Sequence, residues 1–206
     1  MKTIDLVLSE IKEDKHQNLS TTSFKFKTDV WNFFQGFEMQ TAFELGTHKG
    51  QTARLLSYLF KKVYTVNKLD NEEAIRLNAD RANIAYISNV DLYNEYYSKH
   101  LFSVDEPVSL FFIDAGHRYE EILIDINRVT SMNCQKECYL LFDDYGSTIN
   151  PGIKQAVDLA VKEGILEIVQ FVGHDAGHNF GNAVKGGPDR ILVDREGVIT
   201  KIVWHD

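Results

Sequence analysis

Three short stretches of this 206-residue chain carry side chains whose types and spacing could do chemistry. In "FELGTHKGQTARLL", Glu44 stands near the end of an apolar run, and Gly46 and Gly50 follow before a helical pattern begins. Glycines between a strand and a helix let a ligand approach backbone N–H groups at a helix N-terminus, where the dipole favours negative charge. A carboxylate at that mouth would repel a pyrophosphate and suits a cationic amine instead. In "FFIDAGHRYEE", Asp114 ends an apolar run and His117 follows three residues later, at the entry to the next helix. An imidazole that titrates near neutrality can take a proton directly from an acceptor. In "LFDDYGSTINPGIKQAVD", Asp143, Asp144 and Tyr145 end a third apolar run. One acid of that pair could simply cap the following turn, and Asp114 could hold loop backbone.

The elements that must position these groups follow from the pattern. Short β-rich runs ("TAFEL", "KVYTV", "IAYIS", "VSLFFID", "CYLLFDD") alternate with helical segments such as "EEAIRLNADRA", "YEEILIDINRV" and "PGIKQAVDLAVKE". That alternation predicts an α/β fold, a parallel sheet covered by helices on both faces. Ligands of such sheets bind outside the carboxyl ends of the strands, near the reversal of strand order, so the three stretches should converge there. Asn150 and Pro151 read as a helix cap and first helical position. Two helices precede the alternation: "TIDLVLSEIKE", and "TDVWNFFQGF" with Thr28 or Asp29 as its cap. The aromatic face of the second is expected mainly to pack in the core. Near the end, "ILEIVQFV" and the runs of "RILVDREGVITKIVW" predict hairpin-like strands, at least one of them antiparallel.

Composition bounds the function. The length and 44% hydrophobic content support one domain over 1–206, with residues 1–38 as a helical cap and 39–206 as the core. A net charge of −8 argues against sequence-independent nucleic-acid binding. No apolar run approaches the ~18 residues of a membrane span, and the acidic start is unlike a signal peptide, so a cytoplasmic location is expected. Cys134 and Cys138, with no second pair, read as reduced structural thiols. The segment "GHDAGHNFGNAVKGGPD" has the composition of a loop cover over the site, and Gly177 makes a helical metal pair of His174 and His178 unfavourable. Homo-oligomer formation is left open.

The glycine spacing ExGxxxG matches neither the dinucleotide fingerprint nor the phosphate loop, which argues against a nicotinamide-dependent dehydrogenase. Taken in order, "ELGTHKG", "IDAGHRYEE" and "LFDDYGSTINPG" resemble the class I S-adenosylmethionine-dependent methyltransferases, in the small-molecule O-methyltransferase-like branch. The resemblance covers about residues 40–200. It implies a Rossmann-like, doubly wound, mostly parallel sheet of about seven strands with an antiparallel last strand. It also implies methyl transfer from S-adenosyl-L-methionine to a small polar acceptor, such as a hydroxyl-bearing metabolite.

Carried over by position, the resemblance puts the cofactor's methionine part over Gly46, Thr47, His48 and Gly50, with Glu44 near its amino group. Asn67 stands where an acid usually meets the ribose, and Asn89 and Val90 where an acid often faces the adenine; Asp70 or Asp91 would substitute under a shifted register. Asn accepts a hydrogen bond without the added strength of a charge, so affinity should be modest, and a binding module with an altered ligand is the alternative. Asp114, Asp143 and Asp144 would collect a divalent cation, Mg2+, whose preference is for oxygen ligands. Gly116 replaces a further acid of related sequences, which throws the base role onto His117.

Overall fold

The structure, a computed structural model, describes residues 3–11, 22–37, 40–94, 104–173 and 195–204. The strands are β1 (Thr41–Leu45), β2 (Lys62–Val66), β3 (Ile84–Ile87), β4 (Val108–Ile113), β5 (Cys134–Phe142), β6 (Leu166–Val172) and β7 (Gly197–Ile202). They form one sheet in the order β3-β2-β1-β4-β5-β7-β6. The first five are parallel, and β7 runs antiparallel between β5 and β6. Strand order reverses between β1 and β4.

The helices are α1 (Ile4–Ile11), α2 (Phe24–Phe34), α3 (Gln51–Leu59), α4 (Glu72–Leu77), α5 (Tyr119–Thr130) and α6 (Pro151–Lys162). Alternation along the strands sorts the core into two layers. Phe43, Phe111, Ile113, Leu140 and Phe142 meet α5 and α6 through Ile122, Ile126, Ile153 and Val157. Ala42, Leu110, Phe112, Leu141 and Ile199 meet α1, α2 and α3 through Val7, Phe26, Val30, Phe34 and Leu55. The aromatic run of α2 is spent on this second layer: Phe26 lies 6.0 Å from Phe112 between ring centroids, and Phe34 lies 5.7 Å from Tyr139. Buried Arg54 of α3 ties the layer together, pairing with Glu10 of α1 at 2.9 Å and with Asp80 at 2.8 Å.

Helix α2 begins earlier than the sequence predicts. Ser23 is its cap and accepts from Phe26 N at 3.0 Å, whereas Thr28 and Asp29 lie inside the helix. Thr28 Oγ1 donates back to Phe24 O, and Asp29 pairs with Lys25 one turn earlier. The same helix holds both flanks of the β6–β7 connection. Gly173 N donates to Asp29 Oδ2 at 2.9 Å, and the Glu196 carboxylate accepts from Ser23 N and Oγ at 2.7 and 2.5 Å.

Helix α4 is shorter than its sequence pattern, ending at Leu77, where Asn78 receives the cap and turns follow. The strand expected in "RILVD" and the glycine-rich segment with His174 and His178 lie outside the described residues. Both cysteines are free thiols. Among the described residues, no helix is long and apolar enough to cross a membrane.

Candidate active site

A crevice opens at the carboxyl ends of β1 and β4, where strand order reverses. Glu44, Gly46, Thr47, His48 and Asp114 line it together with Thr22, Lys49, Gln51 and Thr52. Five of the expected site residues therefore meet. The backbone explains why they can. Gly46 has φ +102°, and a Cβ there would stand 2.2 Å from the carbonyl oxygen of Asp114, so only glycine lets the β1 turn close over the end of β4. Gly50 faces away from the crevice: it has φ +75° and packs on α4, where its carbonyl accepts from Asn78 Nδ2 at 3.0 Å.

The turn is less open to a ligand than its glycines suggest. Gly46 N and Thr47 N both donate to Val66 O, at 2.9 and 3.2 Å. Recognition in the crevice thus falls more heavily on side chains. Glu44 is almost wholly buried, pairing across the sheet with Thr65, whose hydroxyl donates to Glu44 Oε2 at 2.5 Å. Since Thr65 has a single proton to give, the 2.6 Å contact between Thr47 and Thr65 is one in which Thr47 donates. Burial, helped by the charge of Asp114, pushes the Glu44 carboxyl up to about 8, against the opposing effects of the Thr65 bond and the Lys27 ammonium.

Two participants were invisible in the sequence pattern. Thr65 becomes apparent only when the β1–β2 register is known. Lys27 comes from α2: it is fully buried, donates to Thr22 O, and interacts electrostatically with Asp143, Glu196, Asp114 and Glu44. Its desolvation brings the ammonium down to about 8 despite these four acids.

The acids after β5 diverge. Alternation carries Asp143 to the α2 face, where burial first, then the charges of Asp114, Asp144 and Glu196, hold its carboxyl well above the usual range. Asp144, with φ +55°, turns the other way: its Oδ2 accepts from Asn150 Nδ2 at 2.8 Å and faces His117 Nε2 at 3.5 Å. The expected trio Asp114, Asp143 and Asp144 does not converge. Among the described residues, no group of three or more His, Cys, Asp or Glu side chains is arranged to hold a metal ion. The donor set does not fit Mg2+, which needs oxygens gathered at ~2.1 Å.

His117 belongs to this second group and not to the crevice lining. Glu121 fixes its backbone by accepting from His117 N and Arg118 N, both at 3.2 Å, at the start of α5. At Gly116 there is no room for the acid of related sequences, because a Cβ would meet the Tyr93 hydroxyl at 2.2 Å.

Asn67, Asn89 and Val90 sit together at the ends of β2 and β3, outside the crevice lining. Asn67 N donates to Ile87 O, and Val90 N donates to Asn67 O, each at 3.0 Å. Of the alternative acids, Asp91 is paired with Lys68 at 2.8 Å and Asp70 accepts from Asn89 at 3.4 Å.

A seven-stranded sheet in this order, with an antiparallel β7 inside one edge and an acidic crevice over the first strand–helix turn, defines the class I methyltransferase fold. A methyltransferase-domain family model matches residues 43–145, half of the chain, and the chain belongs to that family. Solved structures share the fold. The N-methyltransferase NodS of Bradyrhizobium japonicum, in complex with S-adenosyl-L-homocysteine, aligns at TM-score 0.62 and 12% identity over 97% of this chain and 96% of its own. A SAM-dependent O-methyltransferase of Thermotoga maritima aligns at 0.61 and 10% identity, covering 100% and 73%. A SAM-dependent methyltransferase of Aquifex aeolicus aligns at 0.56 and 14% identity, covering 98% and 100%. No curated sequence matches the chain.

Proposed function

We propose that the protein transfers a methyl group from S-adenosyl-L-methionine to a small polar acceptor, at a hydroxyl oxygen. The observation that carries this reading is the buried Glu44 carboxylate beside Gly46 and Asp114 in the crevice. A carboxyl so placed ionises beside an ammonium group, and its charged form opposes a diphosphate. The cofactor's methionine part then lies against Glu44, Gly46, Thr47 and His48, over the α3 entry marked by Gly50. Its adenosine extends toward Asn67, Asn89 and Val90. That a neighbour of the same fold was solved with S-adenosyl-L-homocysteine supports the choice of cofactor.

With its carboxyl at about 8 in the ligand-free protein, Glu44 holds a proton at pH 7. An arriving ammonium favours the ionised form, so binding releases that proton. Titration calorimetry with S-adenosyl-L-homocysteine, run at pH 7 in buffers of different ionisation enthalpy, should show about one proton released per site. Glu44→Gln should weaken binding by about ten- to a hundredfold and abolish the release. A folded wild-type protein that ignores millimolar ligand overturns the reading, in favour of a binding module with another ligand.

Methyl transfer from a sulfonium needs in-line placement and removal of the acceptor's proton. His117 takes that proton as the acceptor oxygen bonds to the methyl carbon and the carbon–sulfur electron pair stays with sulfur. Asp144 then stabilises the imidazolium. With tritiated methyl donor and a small-molecule extract as acceptor pool, His117→Gln should lower label transfer by about a hundredfold or more. Asp144→Asn should lower it less, because asparagine tolerates the left-handed backbone there. Neither change should alter S-adenosyl-L-homocysteine affinity; a full rate in His117→Gln removes the base assignment.

A further inference from the structure

We propose that Cys134 and Cys138 are a peroxide-sensitive dithiol that closes to a disulfide within one chain. Their sequence spacing argues against it at first. Residues four apart on a regular strand stand ~13 Å from each other, whereas a disulfide needs Cα atoms within ~7 Å. The pairing of β4 with β5 removes that obstacle. Val108 is matched with Cys134 and Leu110 with Tyr139, so Ser109 alone faces the four residues Gln135 to Cys138. The extra residues, Gln135, Lys136 and Glu137, loop out as a bulge, and the two cysteines at its feet become neighbours.

Both thiols face the same side of the sheet. Cys138 is wholly buried in the layer under α5 and α6, and the half-buried Cys134 packs against that layer. Cys134 Sγ donates to Val129 O, in the last turn of α5, at 3.3 Å. Hydrogen bonding with Cys138 holds the Cys134 thiol below the usual thiol range; the same contact, then burial, raises Cys138. Cys134, nearer to solvent, is thus the attacking thiol and Cys138 the resolving one. The bulge is held in shape by contacts outside the pair: Lys136 O accepts from Trp204 Nε1 at 3.1 Å, and Glu137 pairs with Lys201 at 3.4 Å. Closing the disulfide takes one donor from the Val129 carbonyl, which keeps Met132 N at 3.2 Å.

The chemistry balances with a hydroperoxide as oxidant. The Cys134 thiolate attacks one oxygen of hydrogen peroxide, the O–O bond breaks, and the other oxygen leaves as water with the thiol's proton, giving a sulfenic acid. The Cys138 sulfur then attacks the Cys134 sulfur. The S–S bond forms, the S–OH bond breaks, and the departing hydroxide takes the Cys138 proton as a second water. Two thiols have given two electrons to the peroxide, and an external dithiol reverses the change.

This dithiol stands apart from the proposed methyl transfer, so either reading can fail alone. The reduced, folded wild-type protein, whose only cysteines are these two, is exposed to hydrogen peroxide, unfolded in N-ethylmaleimide and examined by mass spectrometry. It should be two hydrogens lighter, unlabelled and without linkage between chains, and dithiothreitol should restore both labelling sites. Before oxidation, Cys134 of the native protein should react with the maleimide at least about tenfold faster than Cys138. Cys138→Ser should stop at a sulfenic acid on Cys134 that dimedone traps, and Cys134→Ser should lose peroxide sensitivity about tenfold or more. Two maleimide labels after peroxide treatment, or linkage only between chains, overturns the proposal. A Cys138 that labels as fast as Cys134 in the native protein overturns the assignment of roles.

Discussion

Gly46→Ala is expected to destabilise the protein by at least about 3 kcal/mol, measured by urea unfolding, and to abolish cofactor binding with it. The left-handed backbone is one part of that cost, and the contact with the end of β4 is the other. Gly36 offers a control that separates them. It has φ +112°, close to the +102° of Gly46, yet a Cβ at Gly36 would meet nothing within 4 Å. Gly36→Ala therefore carries backbone strain alone, of about 1–2 kcal/mol. The difference between the two variants measures how closely the β1 turn must approach Asp114 for the crevice to exist. Equal costs would show that this approach carries no energy.

The second large effect is on pH. In the ligand-free protein, stability should fall as pH rises from about 5 to about 8. Glu44, raised from 4.5 to about 8, and Asp125, raised from 3.8 to about 7 chiefly by burial, hold protons in the folded state that the unfolded chain has already released. Asp143 acts in the same direction. Where the folded state binds more protons than the unfolded one, each pH unit subtracts stability, at most about 1.4 kcal/mol per group. Lys27 has the opposite sign: lowered from 10.5 to about 8, it has lost in the folded state a proton that the unfolded chain keeps, so it opposes the loss of stability above pH 8. The midpoint of thermal unfolding should thus fall steadily from pH 5 to 8. Glu44→Gln should flatten the falling limb and raise the midpoint at pH 8 by about 5 °C. A profile that rises steadily from 5 to 8 contradicts the burial of these acids.

The strands were legible because buried parallel strands read as short apolar runs, and "TAFEL" and "KVYTV" match β1 and β2 residue for residue. The crevice residues Glu44, Gly46, Thr47, His48 and Asp114 were legible for a related reason: topology alone carries the ends of β1 and β4 to one place. What failed was the pairing of Asp143 with Asp144. A strand's twofold alternation, continued past Phe142, sends adjacent residues to opposite faces, and a motif that places two acids side by side in sequence conceals this. Lys27 was unreadable because its partners lie up to about 170 positions away, across the β1, β4 and β7 ends. The cap of α2 was misplaced for a local reason: Thr28 and Asp29 are typical cap residues that here bond within the helix, while Ser23 takes the position.

The placement of β7 between β5 and β6 governs how the polypeptide is made. β6 leaves the ribosome before β7, yet among the described residues its only neighbour in the sheet is β7. Until β7 arrives, the nascent chain presents an unpaired β5 edge along Tyr139 to Phe142, an invitation to intermolecular pairing. Ser23, synthesised well before Glu196, must likewise wait for it before its helix is secured. Chains stalled or cleaved ahead of Gly197 should therefore aggregate instead of accumulating as partly active enzyme.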